Sequence, residues 1–360
     1  MHHRDSSGDV VCPLRIFVGH RSPAEKRAYA MASMPEPTAI APGIKPTPAH
    51  DLVFHGGHTI MDLAFWNFYV GGSDAWKASD IQDIDRALAV AMSDVKLNNV
   101  MSQYYPSGKI TSKFHSSKTL AGPKPSVVSQ GDVEALLLQL FHGGTLQGAD
   151  FSSTVFNFML PSGTILNTDA SPTGGTITAR VERPRVTREP QEAEDSLQGL
   201  GGYHGSIHAG TGSKAEIVYY AIGAYSEQMA DGRTNGIPVF DQSWKNVVAT
   251  FYHELNEART DPDVEDAIRA GNDPSATQFL GWTSEQGEEC GDFPVFEADP
   301  LTKVFQEVQL ADGSGTVPVQ FQYSDAVHGP EGPRDTAAPY AGAASKAGTV
   351  KQAGARKKRA

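Results

Sequence analysis

Cysteine is nearly absent from this 360-residue chain: Cys12 and Cys290 are the only two. A disulfide framework is therefore excluded, and two free thiols are expected. Long apolar runs are also missing. No stretch approaches the roughly 20 residues of a membrane helix, so no membrane span is expected. The first residues, MHHRDSSGDVVCPLRIFVGHRS, lack the continuous apolar segment of a secretory signal. Positive charge is in deficit, with 30 Lys and Arg against 42 Asp and Glu and a net charge of −12. An acidic body of this kind is unsuited to nucleic acid. No Gly-Lys-Ser/Thr follows Gly71-Gly72 or Gly143-Gly144, so neither pair is a phosphate loop. Gly-x-Ser-x-Gly is absent too, which leaves Ser206 without the setting of a serine nucleophile.

What remains is a chain long enough for one sizeable core, with 39% apolar residues. Residues 1–50 are rich in Pro and Ala without apolar period and are expected to be a disordered leader. Residues 51–329 read as one layered domain. Residues 330–360, ending in ARKKRA, read as a disordered basic tail. Within the domain, 167–199 is a Pro-, Thr-, Arg- and Glu-rich insertion expected to be flexible.

Strands are expected at 59–70, 153–161 and 215–225. A helix is expected from Ser79, where Ser79 and Gln82 have capping-box spacing, and another over 131–140. KVFQEVQL and TVPVQFQYS flank Asp312-Gly313-Ser314-Gly315 as a hairpin. The alternation predicts an α/β (α+β) fold with a mixed sheet.

The chemistry concentrates in VVATFYHELNEARTDPDVED, which places His253-Glu254-x-x-Glu257 on a helix over about 243–258. His253 and Glu257, four apart, share one helical face and can reach one divalent metal. Glu254 stands where the general base stands in the zinc-peptidase motif His-Glu-x-x-His. Trp244, Val247, Val248, Phe251 and Leu255 form the apolar stripe, and His253 and Glu257 fall roughly opposite it. The blander expectation is then a solvated polar face beside the acidic segment GEECGD. The sharper one is a metal site in which Glu289 or Asp292 folds back as third ligand. Asp261, Asp263 and Glu288 are further oxygens nearby. Zinc suits this donor set, and calcium is the alternative if oxygens dominate.

His204 and His208 in GGYHGSIH, and His55 and His58 in FHGGHT, are weaker candidates. The former are open to a surface-turn reading, and the latter favour a turn. Cys290 lies among acids, which raise its pKa and make it a poor nucleophile.

GYHG (202–205), YYAIGAY (219–225), HELNEARTDP (253–262), Gly281-Trp282 and Glu289-Cys290-Gly291-Asp292 stand in the order of blocks seen in the EXORDIUM-like, or phosphate-induced, proteins. Over 201–292 the chain resembles that family. The resemblance implies that His253, Glu254, Glu257, Glu289 and Asp292 belong to one site. It also implies an extracellular, cell-wall-linked role in growth control, which the missing signal and few cysteines do not support.

Two functions follow as expectations. One is a metal-dependent hydrolase acting on peptide or cell-surface substrates, most simply a zinc metallopeptidase. There His253, Glu257 and one of Glu289 or Asp292 are ligands, Glu254 is the base and His204 stabilises an oxyanion or binds substrate. The other is a non-enzymatic EXORDIUM-type binding or signalling protein with a structural metal site.

Overall fold

A computed structural model of the chain describes residues 40–170, 194–212, 215–271, 273 and 275–342. The fold is α+β, built on a five-stranded mixed sheet. In chain order its strands are β1 (Asp62–Tyr69), β2 (Thr111–Thr119), β3 (Thr154–Met159), β4 (Gly202–Ala209) and β5 (Glu216–Gly223). The spatial order is β2-β1-β3-β5-β4. The first four of these run parallel, and the edge strand β4 runs antiparallel to β5.

Side chains alternate across the sheet with the period of a strand. Leu63, Phe65 and Tyr69 of β1, Val155 and Met159 of β3, and Tyr219 and Ala221 of β5 face one core. Phe68, Phe156, Phe158, Val218, Tyr220 and Ile222 face the other. Helix α1 (Ala78–Ser93), which the short α2 (Val95–Met101) follows, covers the first face with α4 (Ser243–Thr260), and α3 (Gln130–His142) covers the second through Val133, Leu137 and Leu140. Because both faces are covered, β3 is buried at every position.

Local chemistry explains the element ends. α3 begins at a capping box in which Ser129 accepts from the Asp132 N–H and the Asp132 side chain accepts from the Ser129 N–H. The expected Ser79–Gln82 box does not form. α1 starts one residue earlier, at Ala78 with Lys77 as N-cap, and Ser79 Oγ bonds Asp80 instead. Helix α4 runs two residues beyond its expected end. It stops at Asp261, which precedes Pro262 and takes a non-helical conformation, as the residue before proline must.

The hairpin forms as expected from β6 (Phe305–Gln309) and β7 (Thr316–Gln320). Gly313 takes φ +74 in its turn. β8 (Gln322–Ser324) and β9 (Gly329–Glu331) follow as a short antiparallel pair. Ile40 bridges Glu331 and is buried, so the body includes residues at both ends that composition assigned to leader and tail. Of the insertion, 167–170 and 194–199 are described; its middle, 171–193, lies outside the described residues, as do most of the leader and tail.

The decisive feature for function is the position of α4. It packs against α1, β3, β4, β5 and β7 at once. Every residue from Asn246 to Thr260 is buried. The apolar stripe alone predicted one covered face. The opposite face is covered too, by β4, β7 and the acidic segment. Phe251→Ala, at a site with no exposure, is expected to cost about 3–5 kcal/mol of stability, read as a lower urea midpoint with unchanged slope.

Candidate metal centre

Three segments converge on the polar side of α4. His253, Glu254 and Glu257 come from the helix itself. His204 comes from β4, a regular strand rather than the surface turn that its glycines suggest. Glu289 and Asp292 come from the acidic segment that follows Gly281-Trp282. That segment is pinned at both ends. Trp282 and Thr283 pair with Val53 and Phe54, and the carbonyl of Cys290 accepts from the Tyr323 N–H at 2.6 Å.

The donor atoms form two buried groups. His253, Glu257 and Asp292 make one, and His204, Glu257 and Glu289 make the other; within each group the donors lie within 4.8 Å of one another. His253 Nε2 is 3.0 Å from Glu257 Oε2, and His204 Nδ1 is 3.8 Å from the same oxygen. His204 Nδ1 is also 3.5 Å from Glu254 Oε2, and its Nε2 is 3.6 Å from Glu289 Oε1. These residues could hold a metal ion, and Glu289 and Asp292, read from the sequence as alternative third ligands, each lie in one of the two groups.

Neighbouring groups set the orientation of the ligands. The Gln320 amide nitrogen donates to the carbonyls of Gly291 and Phe321, at 3.0 and 2.7 Å. Its Oε1 therefore faces His253 and accepts from Nδ1–H. That leaves Nε2 directed at Glu257, the arrangement by which an outer residue fixes a ligand histidine. His204 Nε2–H donates to the Asp261 carbonyl at 3.2 Å, which directs Nδ1 at Glu254 and Glu257. Glu257 Oε1 accepts from the Gly291 N–H at 2.9 Å, so only Oε2 is left for a cation. Gly291 must be glycine: a Cβ there would stand 2.3 Å from His253 Nδ1.

The remaining donor atoms lack hydrogen bonds. His204 Nδ1, His253 Nε2, Glu257 Oε2, Asp292 Oδ1, Asp261 Oδ2 and both oxygens of Glu254 and of Glu289 are buried and make no well-aligned hydrogen bond, their only close partners among the described residues being the histidine–carboxylate ion pairs of this set. Buried polar atoms are nearly always paired, so this concentration suits either bound protons or a cation. The side-chain ion pairs of Glu254, Glu257 and Glu289 among the described residues are all with the two histidines.

Proton affinities reflect the same imbalance. Burial raises Glu254, and burial reinforced by the neighbouring Glu257 raises Glu289 and Asp292 well above the carboxylate range. Burial pushes Asp261 up to about 7. Burial alone would lower His253, but Glu257, Glu254 and Asp292 outweigh it and push it up to about 10. A proton and a metal compete for that nitrogen, so metal uptake releases protons.

Other sequence candidates lie elsewhere. Glu288 bonds Ser284 and His50. Asp263 stands ten residues after His253, where the extended zinc-peptidase motif carries its third ligand. It lies beside Tyr219, outside both groups. His208 pairs with Asp266 at 2.8 Å near the surface. His55 contacts Thr283 and His58 the Ser152 carbonyl, so that pair forms no ligand set. Cys290 is free and buried, and burial ahead of the nearby Glu257 raises its thiol. The solvated polar face is overturned outright, because His253 and Glu257 are at most 1% exposed. Gln320 was missed: it lies 67 residues from His253 in a strand whose pattern carries no chemical signal.

No family model, curated protein or solved structure matches the chain.

Gly291→Ala is expected to lower metal affinity by about 10–100-fold, the range of outer-ligand lesions, measured by competition with a chelating dye. The pH response of metal-free protein follows from the raised carboxylates. The folded chain holds protons that the unfolded chain releases above about pH 4. Stability therefore falls as pH rises from there through about 7 and beyond. His253 acts with the same sign, its contribution being lost as pH rises through about 10. Melting temperature in chelator should thus drop between about pH 5 and about pH 8; a rising profile would contradict the assignment.

Proposed function

We propose that this chain is a metalloprotein whose cation ties the motif helix to the edge strand and the acidic segment. Its role is that of an EXORDIUM-type binding or signalling protein rather than a peptidase. The observation that carries this reading is burial. His253, Glu254, Glu257, Glu289 and Asp292 are all at most 3% exposed. A catalytic zinc centre keeps one position open to water and substrate, whereas structural centres are closed by protein ligands. Zinc fits the donors, since each group pairs one imidazole with two carboxylates. Calcium wants about six to eight oxygens and gains little from imidazole.

A second reading, a zinc-dependent hydrolase acting on peptides, has one observation in its favour. Both oxygens of Glu254 lack hydrogen bonds, and the residue adjoins two ligands on the same helix. In that reading Glu254 accepts the proton of an attacking water and His204 stays beside it. Substrate access then requires the acidic segment to move off α4.

Elemental analysis of purified protein is expected to find zinc, with less of it bound in His253→Ala. Chelation is expected to lower the melting temperature by more than about 5 °C, as loss of a few kcal/mol does in a domain of this size. Glu254→Gln keeps the metal, and neither protein cleaves a peptide library. Zinc-dependent cleavage abolished by Glu254→Gln would establish the hydrolase instead. Absence of any transition metal would remove both readings.

A further inference from the structure

The two ligand groups share a single residue. We propose that the centre holds two divalent transition-metal ions bridged by the carboxylate of Glu257, one on the His253–Asp292 side and one on the His204–Glu289 side. This rests on the metal-binding reading above and specifies its occupancy.

The argument begins with geometry. His253 and His204 fall in different groups, although each approaches Glu257 Oε2, at 3.0 and 3.8 Å. Ligands on one zinc, each about 2.0–2.1 Å from it, stand no more than about 4.2 Å apart. A single ion placed among one group's donors leaves the other group's imidazole and carboxylate unserved. Those leftover atoms are not surface groups with water to turn to. On the His204 side, Nδ1 and both Glu289 oxygens are buried without hydrogen bonds; on the His253 side, so are Nε2 and Asp292 Oδ1. Each side therefore carries its own set of orphaned donors.

The hydrogen bonds around Glu257 agree. With Oε1 held by the Gly291 N–H, Oε2 is the atom both imidazoles approach. A shared carboxylate of this kind suits metals about 3.5–4 Å apart. Charge gives a second, independent reason. Glu254, Glu257, Glu289 and Asp292 are buried together, and the two histidines bind a metal as neutral imidazoles. Two divalent cations balance these four carboxylates, whereas one balances two and requires the rest, with Asp261 beside them, to take up protons.

The test is metal stoichiometry on the full-length chain. Metal-free protein is dialysed against buffered zinc, and bound metal is determined by elemental analysis. The wild type is expected to hold about two zinc ions, as a two-metal site does. His204→Asn and His253→Asn should each hold about one, and Glu257→Ala should hold none tightly. His208→Asn, on the same strand but outside both groups, should match the wild type. Retention of one ion by either histidine variant also shows that it has folded. If the variants do not fold, manganese-loaded wild type decides by electron paramagnetic resonance: a spin-coupled pair supports the proposal, and only an isolated-ion spectrum overturns it. One zinc in the wild type, lost in both histidine variants, means a single-ion centre; the metal reading then survives and the pair does not. No zinc at all overturns both.

Discussion

Negative charge sealed away from water is the constraint on which this structure depends. Glu254, Glu257, Glu289 and Asp292 sit with His204 and His253 in the interior, and Asp261 lies beside them. Carboxylates in such surroundings either hold protons or meet cations, because isolated ionised groups cost far too much to bury. The sheet, the hairpin and the acidic segment are arranged so that these side chains have no route to solvent. Their chemistry is consequently that of a proton store or a metal centre, according to what is supplied.

The enclosure is built from distant parts of the chain. The antiparallel edge strand β4 brings His204 onto α4, and β7 brings Gln320 to the far side of His253. The acidic segment enters between them, close enough that Gly291 leaves no room for a side chain. Gly281 serves the same close approach at the segment's start, where a Cβ would meet the Thr260 carbonyl at 2.0 Å. Packing of this kind encloses the centre, and the Gln320 amide oxygen at Nδ1 leaves His253 Nε2 facing Glu257. It also argues for closure, since α4 is clasped on every side and Glu254 lies as deep as the ligands.

Much of this was legible in the residues. Apolar, aromatic-rich runs placed β1, β3 and β5 but not β2 or β4, and helical periodicity placed α3 and α4 to within a few residues. The spacing of His253 and Glu257 put both on one face of a helix. The likeness over 201–292 gathered Glu289 and Asp292 into the same site. The misreadings share one physical cause. An apolar stripe reports which face of a helix is greasy, not whether the polar face meets water. On α4 the polar face is buried against other polar groups, a situation without periodic signature. For the same reason His204 looked like a turn residue among glycines. Gly202 instead lets β4 lie against α4, where a Cβ would meet Glu254 Oε1 and Thr250 Cγ2, each at 2.9 Å.

The kinds of donor available, their local spacing on α4, and the α+β character of the domain can all be read from the residues in order. Each follows from chemistry within a turn or a strand. Only the assembled fold shows that the donors form two groups sharing Glu257, that Gln320 orients His253, and that the whole centre is buried. Those properties depend on contacts between residues 30 to 70 positions apart or more, where no sequence period reaches. They depend equally on exclusion of solvent, which only the assembled layers can impose.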